Sequence, residues 1–286
     1  MVIVRLQGGL GNQLFQYTFG QYLVKRYNLC VKFDPQLNLN IETFTNRKLT
    51  ISEIGIEIPL ANHKEVKSII SMKSSILEYR IRRKIIQKLP FINKSYSVQN
   101  SNPHIIDFDL DKENIYYDGY WQHINIVEEM LPFLRKEINI KRKSPEFKIN
   151  NDLSVSIHIR RGDYVNIKKN TNIFSACEIE YFRSAISYLN SKVKGLHYYI
   201  FSDDIEWAKQ NFIGDSFSFM EGNSVIEDFF MMSNCKFNII SNSTFSTWAA
   251  YLNDFEDKIV VYPKTWYNNE FNNYLDKIVS KQWIGL

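Results

Sequence analysis

Val155-Ser156-Ile157-His158-Ile159-Arg160-Arg161-Gly162-Asp163-Tyr164 reads as a strand running straight into a polar loop. Val155, Ile157 and Ile159 alternate onto one face, so His158 and Arg160 share the other. Two guanidiniums where a strand stops suit a diphosphate, because Arg presents a planar fork of donors that matches phosphate oxygens. The functional reading is an anion site at the C-terminal end of a strand. A solvated basic turn and an adhesive Arg-Gly-Asp loop are the alternatives.

The second half of the chain is regular. A strand over 153–160 leads to a helix over 178–190, a strand over 197–202 and a helix from Asp204. A strand over 216–220, a helix from Ser224 to Ser233 and a strand over 236–240 come next, then a helix from Thr244 to Leu252 and a strand over 258–262. Strands alternating with ten-residue helices predict an α/β fold with a parallel, doubly wound sheet. Such sheets bind ligands beyond the carboxyl ends of their strands. That rule gathers Arg160–Asp163, Ser202–Asp204 and Ser241–Ser246 onto one rim. There Asp203 and Asp204 either hydrogen-bond a base or ribose or cap the adjoining helix. Ser241-Asn242-Ser243-Thr244-Phe245-Ser246 is either a phosphate cradle at a helix start or a capping run.

The first forty residues read as β-loop-α-β: a strand over Val2–Leu6, the loop Gln7-Gly8-Gly9-Leu10-Gly11-Asn12, a helix over Gln13–Arg26 and a strand over Leu29–Phe33. The glycines let the backbone approach a ligand near a helix N-terminus. Their spacing is not G-x-G-x-x-G, and no acidic residue stands about twenty positions on, so no dinucleotide fingerprint is met. Further on, the pattern gives a helix over Lys64–Leu89, a polar loop around Asn93–Pro103, an aromatic strand over Tyr116–Gln122 and a helix over Val127–Glu137. The charged segment Lys141-Arg142-Lys143-Ser144-Pro145 is the linker candidate. The expected domains are therefore 1–145 and 146–265. A tail helix over 266–286, carrying Trp266, Tyr267, Phe271 and Trp283, would pack back on the first half.

Composition narrows the class. With 44% hydrophobic and 15% aromatic residues the chain is globular, and a net charge of +4 over 286 residues is no nucleic-acid signature. Cys30, Cys177 and Cys235 are odd in number and widely spaced, against a disulfide framework or zinc site and for a reducing cytoplasm. No apolar run is long enough to span a bilayer, and the N-terminal strand meets glycines too soon for a signal peptide. Asp107-Phe108-Asp109-Leu110-Asp111 has the D-x-D spacing that could hold Mn²⁺ or Mg²⁺, with a solvated loop as the other reading. Ile76–Leu89 reads as a basic amphipathic helix: Leu77, Ile81, Ile85 and Leu89 form a stripe against Arg80, Arg82, Arg83, Lys84 and Lys88. That stripe either faces the core beneath a solvated basic face or rests on the inner face of an anionic membrane.

Four segments together resemble the motif set of bacterial α-1,2-fucosyltransferases, glycosyltransferase family 11. They are Gly8-Gly9-Leu10-Gly11-Asn12-Gln13-Leu14-Phe15-Gln16-Tyr17, His158-Ile159-Arg160-Arg161-Gly162-Asp163-Tyr164, Phe201-Ser202-Asp203-Asp204 and Ser241 to Ser246. Residues 36–145 carry no such signature. Thr247 stands where many members have a second tryptophan, which implies a packing change.

The resemblance implies a GT-B fold of two facing Rossmann-like domains, with GDP-fucose as co-substrate and no cofactor. It implies an inverting, metal-independent transfer of L-fucose to the 2-hydroxyl of a terminal galactose in an oligosaccharide or lipid-linked glycan such as an O-antigen. By similarity Arg160, with Arg161, would pair with the donor diphosphate and His158 with the nucleoside or its phosphate. Asp203 or Asp204 would read guanine or ribose, and Ser243, Thr244, Phe245 and Ser246 would complete the nucleotide pocket. Gly9 and Gly11 of the N-terminal loop would bind the donor, with Asn12 near the transferred sugar. Asp163 is a candidate for the base, or else orients Arg161 or caps the loop. A metal-dependent transferase using Asp109 and Asp111 and a non-catalytic nucleotide-binding module are the rival readings. Acceptor choice would lie in 36–145, where Tyr116, Tyr117, Tyr120 and Trp121 either stack on sugars or pack in the core.

Overall fold

A computed structural model of the chain describes residues 1–35, 49–70, 76–89, 94–99, 114–142, 144, 149, 152–162 and 173–286. It divides into two compact units, Met1–Glu137 and Ile138–Leu286. The division falls within a helix rather than at residue 145, because the charged linker candidate is partly helical.

The first unit holds a four-stranded sheet, every pair parallel, in the order β2-β1-β4-β3. Its strands are β1 (Val2–Arg5), β2 (Val31–Asp34), β3 (Tyr96–Val98) and β4 (Ile115–Asp118). Its helices are α1 (Leu10–Tyr27), α2 (His63–Ile70), α3 (Ile76–Lys88) and α4 (Ile124–Arg142). The single helix expected over Lys64–Leu89 is thus two helices. The short apolar runs of β1 and β4 are buried on both faces, as a covered parallel sheet requires. Tyr116, Tyr117 and Trp121 are at most 1% exposed, so these three aromatics pack in the core, leaving Tyr120 of that group partly exposed.

The stripe on α3 does not face inward. Ile81, Ile85 and Leu89 are 51%, 44% and 42% exposed, whereas Ile86 is 1% exposed. Arg83 lies on the side of Ile86, its Nε 3.4 Å from the buried carboxylate of Asp118. Of the basic positions Arg83 reaches a buried partner, while Lys84 and Lys88 stay exposed beside the apolar row.

The second unit carries a six-stranded parallel sheet, β10-β9-β8-β5-β6-β7. Its strands are β5 (Ser154–Ile159), β6 (His197–Ser202), β7 (Phe217–Phe219), β8 (Phe237–Ile239), β9 (Val260–Tyr262) and β10 (Ile284–Gly285). Between them run α5 (Ile179–Lys192), α6 (Ile205–Asn211), α7 (Val225–Asn234) and α8 (Thr244–Leu252). Counted from β5, this is the 3-2-1-4-5-6 order of a doubly wound nucleotide-binding sheet. The chain winds from β5 to β7 in one direction and then restarts at β8 on the other side of β5. The switch point therefore lies between the carboxyl ends of β5 and β8.

The C-terminal stretch belongs to this second unit and is not an α-helix. Glu270–Lys277 is 3₁₀, and β10 extends the sheet at β9. The Tyr251 hydroxyl donates to the Ile278 carbonyl, and the Trp283 ring lies 5.0 Å from that of Tyr251. Both sheets are parallel and helix-covered, the α/β composition that the GT-B expectation calls for.

Candidate functional site

β5 is buried along its whole length, with its apolar residues on one face and Ser154, Ser156 and His158 on the other. Each of those three makes a side-chain hydrogen bond to the β8 side. Ser154 Oγ accepts from the Lys236 N–H at 3.0 Å, and Ser156 Oγ accepts from Asn238 Nδ2 at 2.7 Å. His158 Nδ1 lies 2.8 Å from Ser241 Oγ. Asn253 Nδ2 donates to Asn238 Oδ1 at 2.7 Å and so continues this polar row behind β8. Buried polar atoms need such partners, and here they tie together the two strands that flank the switch point.

His158 closes the row at the rim, and its ring stands 5.6 Å from that of Phe245. Burial lowers its pKa to about 4, with the positive charge of Arg160 adding to the effect and Asp203 opposing it. The imidazole is therefore neutral near pH 7. It can exchange hydrogen bonds with a ligand but brings no cation.

The cations come from Arg160 and Arg161, the two residues that follow β5. Arg160 Nη1 lies 2.8 Å from Asp203 Oδ2, and the Arg160 side chain is 21% exposed. Asp203 Oδ1 accepts from the backbone N–H groups of Arg161 at 2.8 Å and Gly162 at 3.2 Å. One carboxylate thus fixes both the Arg160 fork and the backbone of its loop. Gly162 allows this approach, since a Cβ there would lie 2.9 Å from Asp203 Oδ2. Arg161 points elsewhere: its guanidinium carbon sits 4.2 Å over the Trp207 ring, and its Nε is 3.5 Å from Asp204 Oδ2. Asp204 also caps α6, accepting from the Trp207 N–H at 3.3 Å. In this structure both aspartates are committed to the protein, Asp203 to the arginine loop and Asp204 to the helix cap.

The start of α8 completes the rim. No side chain caps it, although α6 and α7 are capped by Asp204 and Ser224. Ser246 Oγ and Thr247 Oγ1 donate back to the Ser243 carbonyl at 3.2 and 2.8 Å. The free N–H groups of the first turn, over Thr244, Phe245 and Ser246, remain for an anion. Thr247 is buried, so the missing tryptophan is replaced by a back-bonded hydroxyl. Asn242 is buried too, its Nδ2 donating to the carbonyls of Ser175 and Trp266 at 2.6 and 3.0 Å.

In the first unit the loop after β1 is held by the amides of α1. Gln13 Nε2 donates to the Gly8 carbonyl at 2.9 Å, and its Oε1 accepts from the N–H groups of Thr50 and Ile51. Gln16 Oε1 accepts from the Gln7 N–H at 2.8 Å while its Nε2 donates to the Gly119 carbonyl at 3.1 Å. Gly8 has φ +77°, and a Cβ on it would lie 2.6 Å from Asn12 Nδ2, so glycine is required there. Asn12 Oδ1 accepts from Gln122 Nε2 at 2.9 Å. Gly9 and Gly11 flank the uncapped start of α1. Trp121 adopts φ +55°, a strained conformation for a bulky residue, held by Gln99 Oε1 at 3.0 Å and by stacking on Phe19 at 4.4 Å.

The second unit therefore brings together His158, Arg160, Arg161, Asp203, Asp204 and Phe245 around the end of β5, while Gly9, Gly11 and Asn12 belong to the first unit. Asp163, Asp109 and Asp111 lie outside the described residues. Among the described residues no three His, Cys, Asp or Glu side chains converge as metal ligands. Sequence reasoning did not single out Ser241 within its motif or Trp207, three positions after Asp204, as site residues; neither carries a local signal, because each acts through a partner distant in sequence. Gln13 and Gln16, though inside the recognised motif, gave no sign that they pin the loop.

The profile described as Glycosyl transferase family 11 matches residues 1–286. The chain is 32% identical over 298 residues to the α-1,2-colitosyltransferase of Escherichia coli, covering 100% of this chain and 99% of that one. It is 28% identical over 302 residues to the O-antigen biosynthesis glycosyltransferase WbnK of Escherichia coli, covering 98% and 99%. Similarity to the galactoside α-(1,2)-fucosyltransferase 2 of Bos taurus is 29% over 136 residues, 46% of this chain and 37% of that one.

Proposed function

The chain belongs to glycosyltransferase family 11, and we propose that it transfers L-fucose, or the 3-deoxy analogue colitose, from a GDP-sugar to the 2-hydroxyl of a terminal galactose in a surface glycan. The observation that carries this reading is the Arg160 guanidinium, fixed by Asp203 at the carboxyl end of β5, beside the switch point of a 3-2-1-4-5-6 sheet. A nucleoside diphosphate laid across that point would meet Arg160, the neutral His158 and the open N-terminus of α8.

The chemistry rests on charge. The acceptor oxygen attacks the anomeric carbon from the face opposite the leaving group and inverts it. The bond from that carbon to the β-phosphate oxygen breaks, and its electron pair leaves with GDP. Negative charge grows on the departing diphosphate, and a guanidinium held in place before the reaction stabilises it without reorganising. The hydroxyl proton passes to a general base, for which we assign Asp163 on its position directly after the arginine loop. Asp203 is a positioning residue: it aims Arg160 and shapes the loop through three bonds. Arg161, stacked on Trp207, keeps the start of α6 in register with that loop and adds positive potential.

Fucose is supported by the four-segment motif set, and colitose by the whole-length similarity to a colitosyltransferase. The two sugars differ at C3, so a donor assay separates them. Incubation with GDP-fucose and with GDP-colitose, each with a β-galactoside and excess EDTA, is expected to give an α-1,2-linked product from one donor in preference to the other. The linkage and anomeric configuration are read by NMR. The absence of both transfer and donor hydrolysis would exclude the reading. Activity only on adding Mn²⁺ would point instead to Asp109 and Asp111, and GDP binding with no transfer to a binding module.

A further inference from the structure

The outward face of α3 in the first unit is built unlike a solvated helix face. On a helix of 3.6 residues per turn, Ile81, Ile85 and Leu89 fall in one row, with Lys84 and Lys88 in the row beside it. All five are exposed, the three apolar residues at 51%, 44% and 42%. The opposite side is anchored by buried Ile86 and by Arg83, which pairs with Asp118. The helix is therefore held with its apolar row turned away from the core.

The charge of the chain is concentrated on the same element. Residues 76–88 contain five Lys or Arg and one Glu, a net charge of +4. The whole chain of 286 residues also carries +4, so everything outside this helix sums to zero. A narrow apolar row flanked by lysines, on the most positively charged helix among those described, is complementary to a surface that is anionic outside and apolar a few ångströms in.

We propose that this face docks the protein on an anionic lipid bilayer, with Ile81, Ile85 and Leu89 inserted among the acyl chains and Lys84 and Lys88 among the headgroup phosphates. The helix lies in the plane of the interface. It does not span it, and no helix among the described residues is long and apolar enough to cross a membrane. A second copy of the chain is the competing occupant, but like-charged faces bearing this concentration of lysine and arginine repel one another.

Flotation of the full chain with phosphatidylcholine vesicles, alone or with about one-third phosphatidylglycerol, tests this directly. Binding to the anionic vesicles is expected, weakening as salt is raised, with little binding to the neutral ones. Lys84→Gln/Lys88→Gln is expected to lower the partition coefficient by roughly 25-fold, about fivefold for each charge removed near the surface. Ile81→Ser/Ile85→Ser/Leu89→Ser is expected to abolish binding at physiological salt. Both variants change exposed side chains only and should melt as the wild type does and bind GDP equally. The proposal is overturned if the wild type ignores anionic vesicles at low salt, if it binds neutral vesicles equally well, or if the serine variant floats like the wild type. Light scattering covers the competitor: lipid-free dimers that dissociate in the serine variant would assign the face to self-association and overturn it too.

Discussion

His158 Nδ1 and Ser241 Oγ lie 2.8 Å apart, a buried hydrogen bond joining the two strand ends between which the sheet of the second unit reverses its order. Ser241 is wholly buried, so removing its hydroxyl leaves the imidazole nitrogen without that partner. Ser241→Ala is expected to cost about 1–3 kcal/mol of stability, the penalty for orphaning a buried polar atom. Because the ring is then free to turn, GDP affinity should fall several-fold as well. Denaturant melts and calorimetric titration of GDP check the two effects.

Gly162 and Asp203 supply a second test, at the arginine loop. A methyl group at Gly162 would meet Asp203 Oδ2 at 2.9 Å, pushing the carboxylate away from Arg160. Gly162→Ala and Asp203→Asn are both expected to lower kcat by about 10-fold or more, since misplacing a stabilising group by a fraction of an ångström erodes transition-state binding. Both sites are partly exposed, so the melting midpoint should shift little. If Asp203 instead read the nucleobase, Asp203→Asn would raise KM for the GDP-sugar while sparing kcat. The split between the two constants tells positioning from recognition.

The buried imidazole makes stability depend on pH. Its pKa is about 4 when folded, against about 6.5 for an unfolded histidine. Between those values the unfolded chain holds a proton that the folded chain lacks, so stability falls as pH drops from 6.5 to 4 and is unaffected by this group outside that window. The loss reaches roughly 3 kcal/mol at one pKa unit per 1.4 kcal/mol. His158→Gln should flatten this part of the profile. Equal slopes for variant and wild type, measured by urea melts from pH 4 to 7, would mean that His158 titrates normally.

The assignment of Asp163 as base is separable from donor binding. Asp163→Asn should reduce kcat by about 10²–10⁴, the usual contribution of a general base. GDP affinity should stay within twofold of wild type. A variant that transfers at the normal rate would remove Asp163 from the chemistry. One that loses GDP binding would assign it to the loop.

The second unit was legible from sequence because its strands are short and alternate with helices at even spacing, and because ligands of such sheets gather at the strand ends. Its details were not. Asp203 bonds to residues 41 and 42 positions away, and nothing local distinguishes a carboxylate that reads a base from one that aims an arginine. The outward turn of α3 was equally hidden. Ile81, Ile85 and Leu89 have the spacing of a core stripe, but the buried side is the one that carries Ile86 and the contact of Arg83 with the distant Asp118. The tail shows the same limit. Trp283 lies four positions after Val279 and eight after Leu275, the spacing of a helix, yet its packing on Tyr251 comes with the short edge strand β10, which apolar periodicity cannot announce.

On the proposed mechanism Arg160, at the carboxyl end of β5, holds the diphosphate of the donor without help from a metal ion. Calorimetric titration of GDP into wild-type protein and into Arg160→Ala, both in excess EDTA, measures this most directly. Binding to the wild type and a loss of at least 10-fold in the variant, with an unchanged melting midpoint, is the expected result; a charge-assisted bidentate contact is worth about that much or more. Equal affinity in the two proteins, or binding to the wild type only when Mn²⁺ is restored, would contradict it.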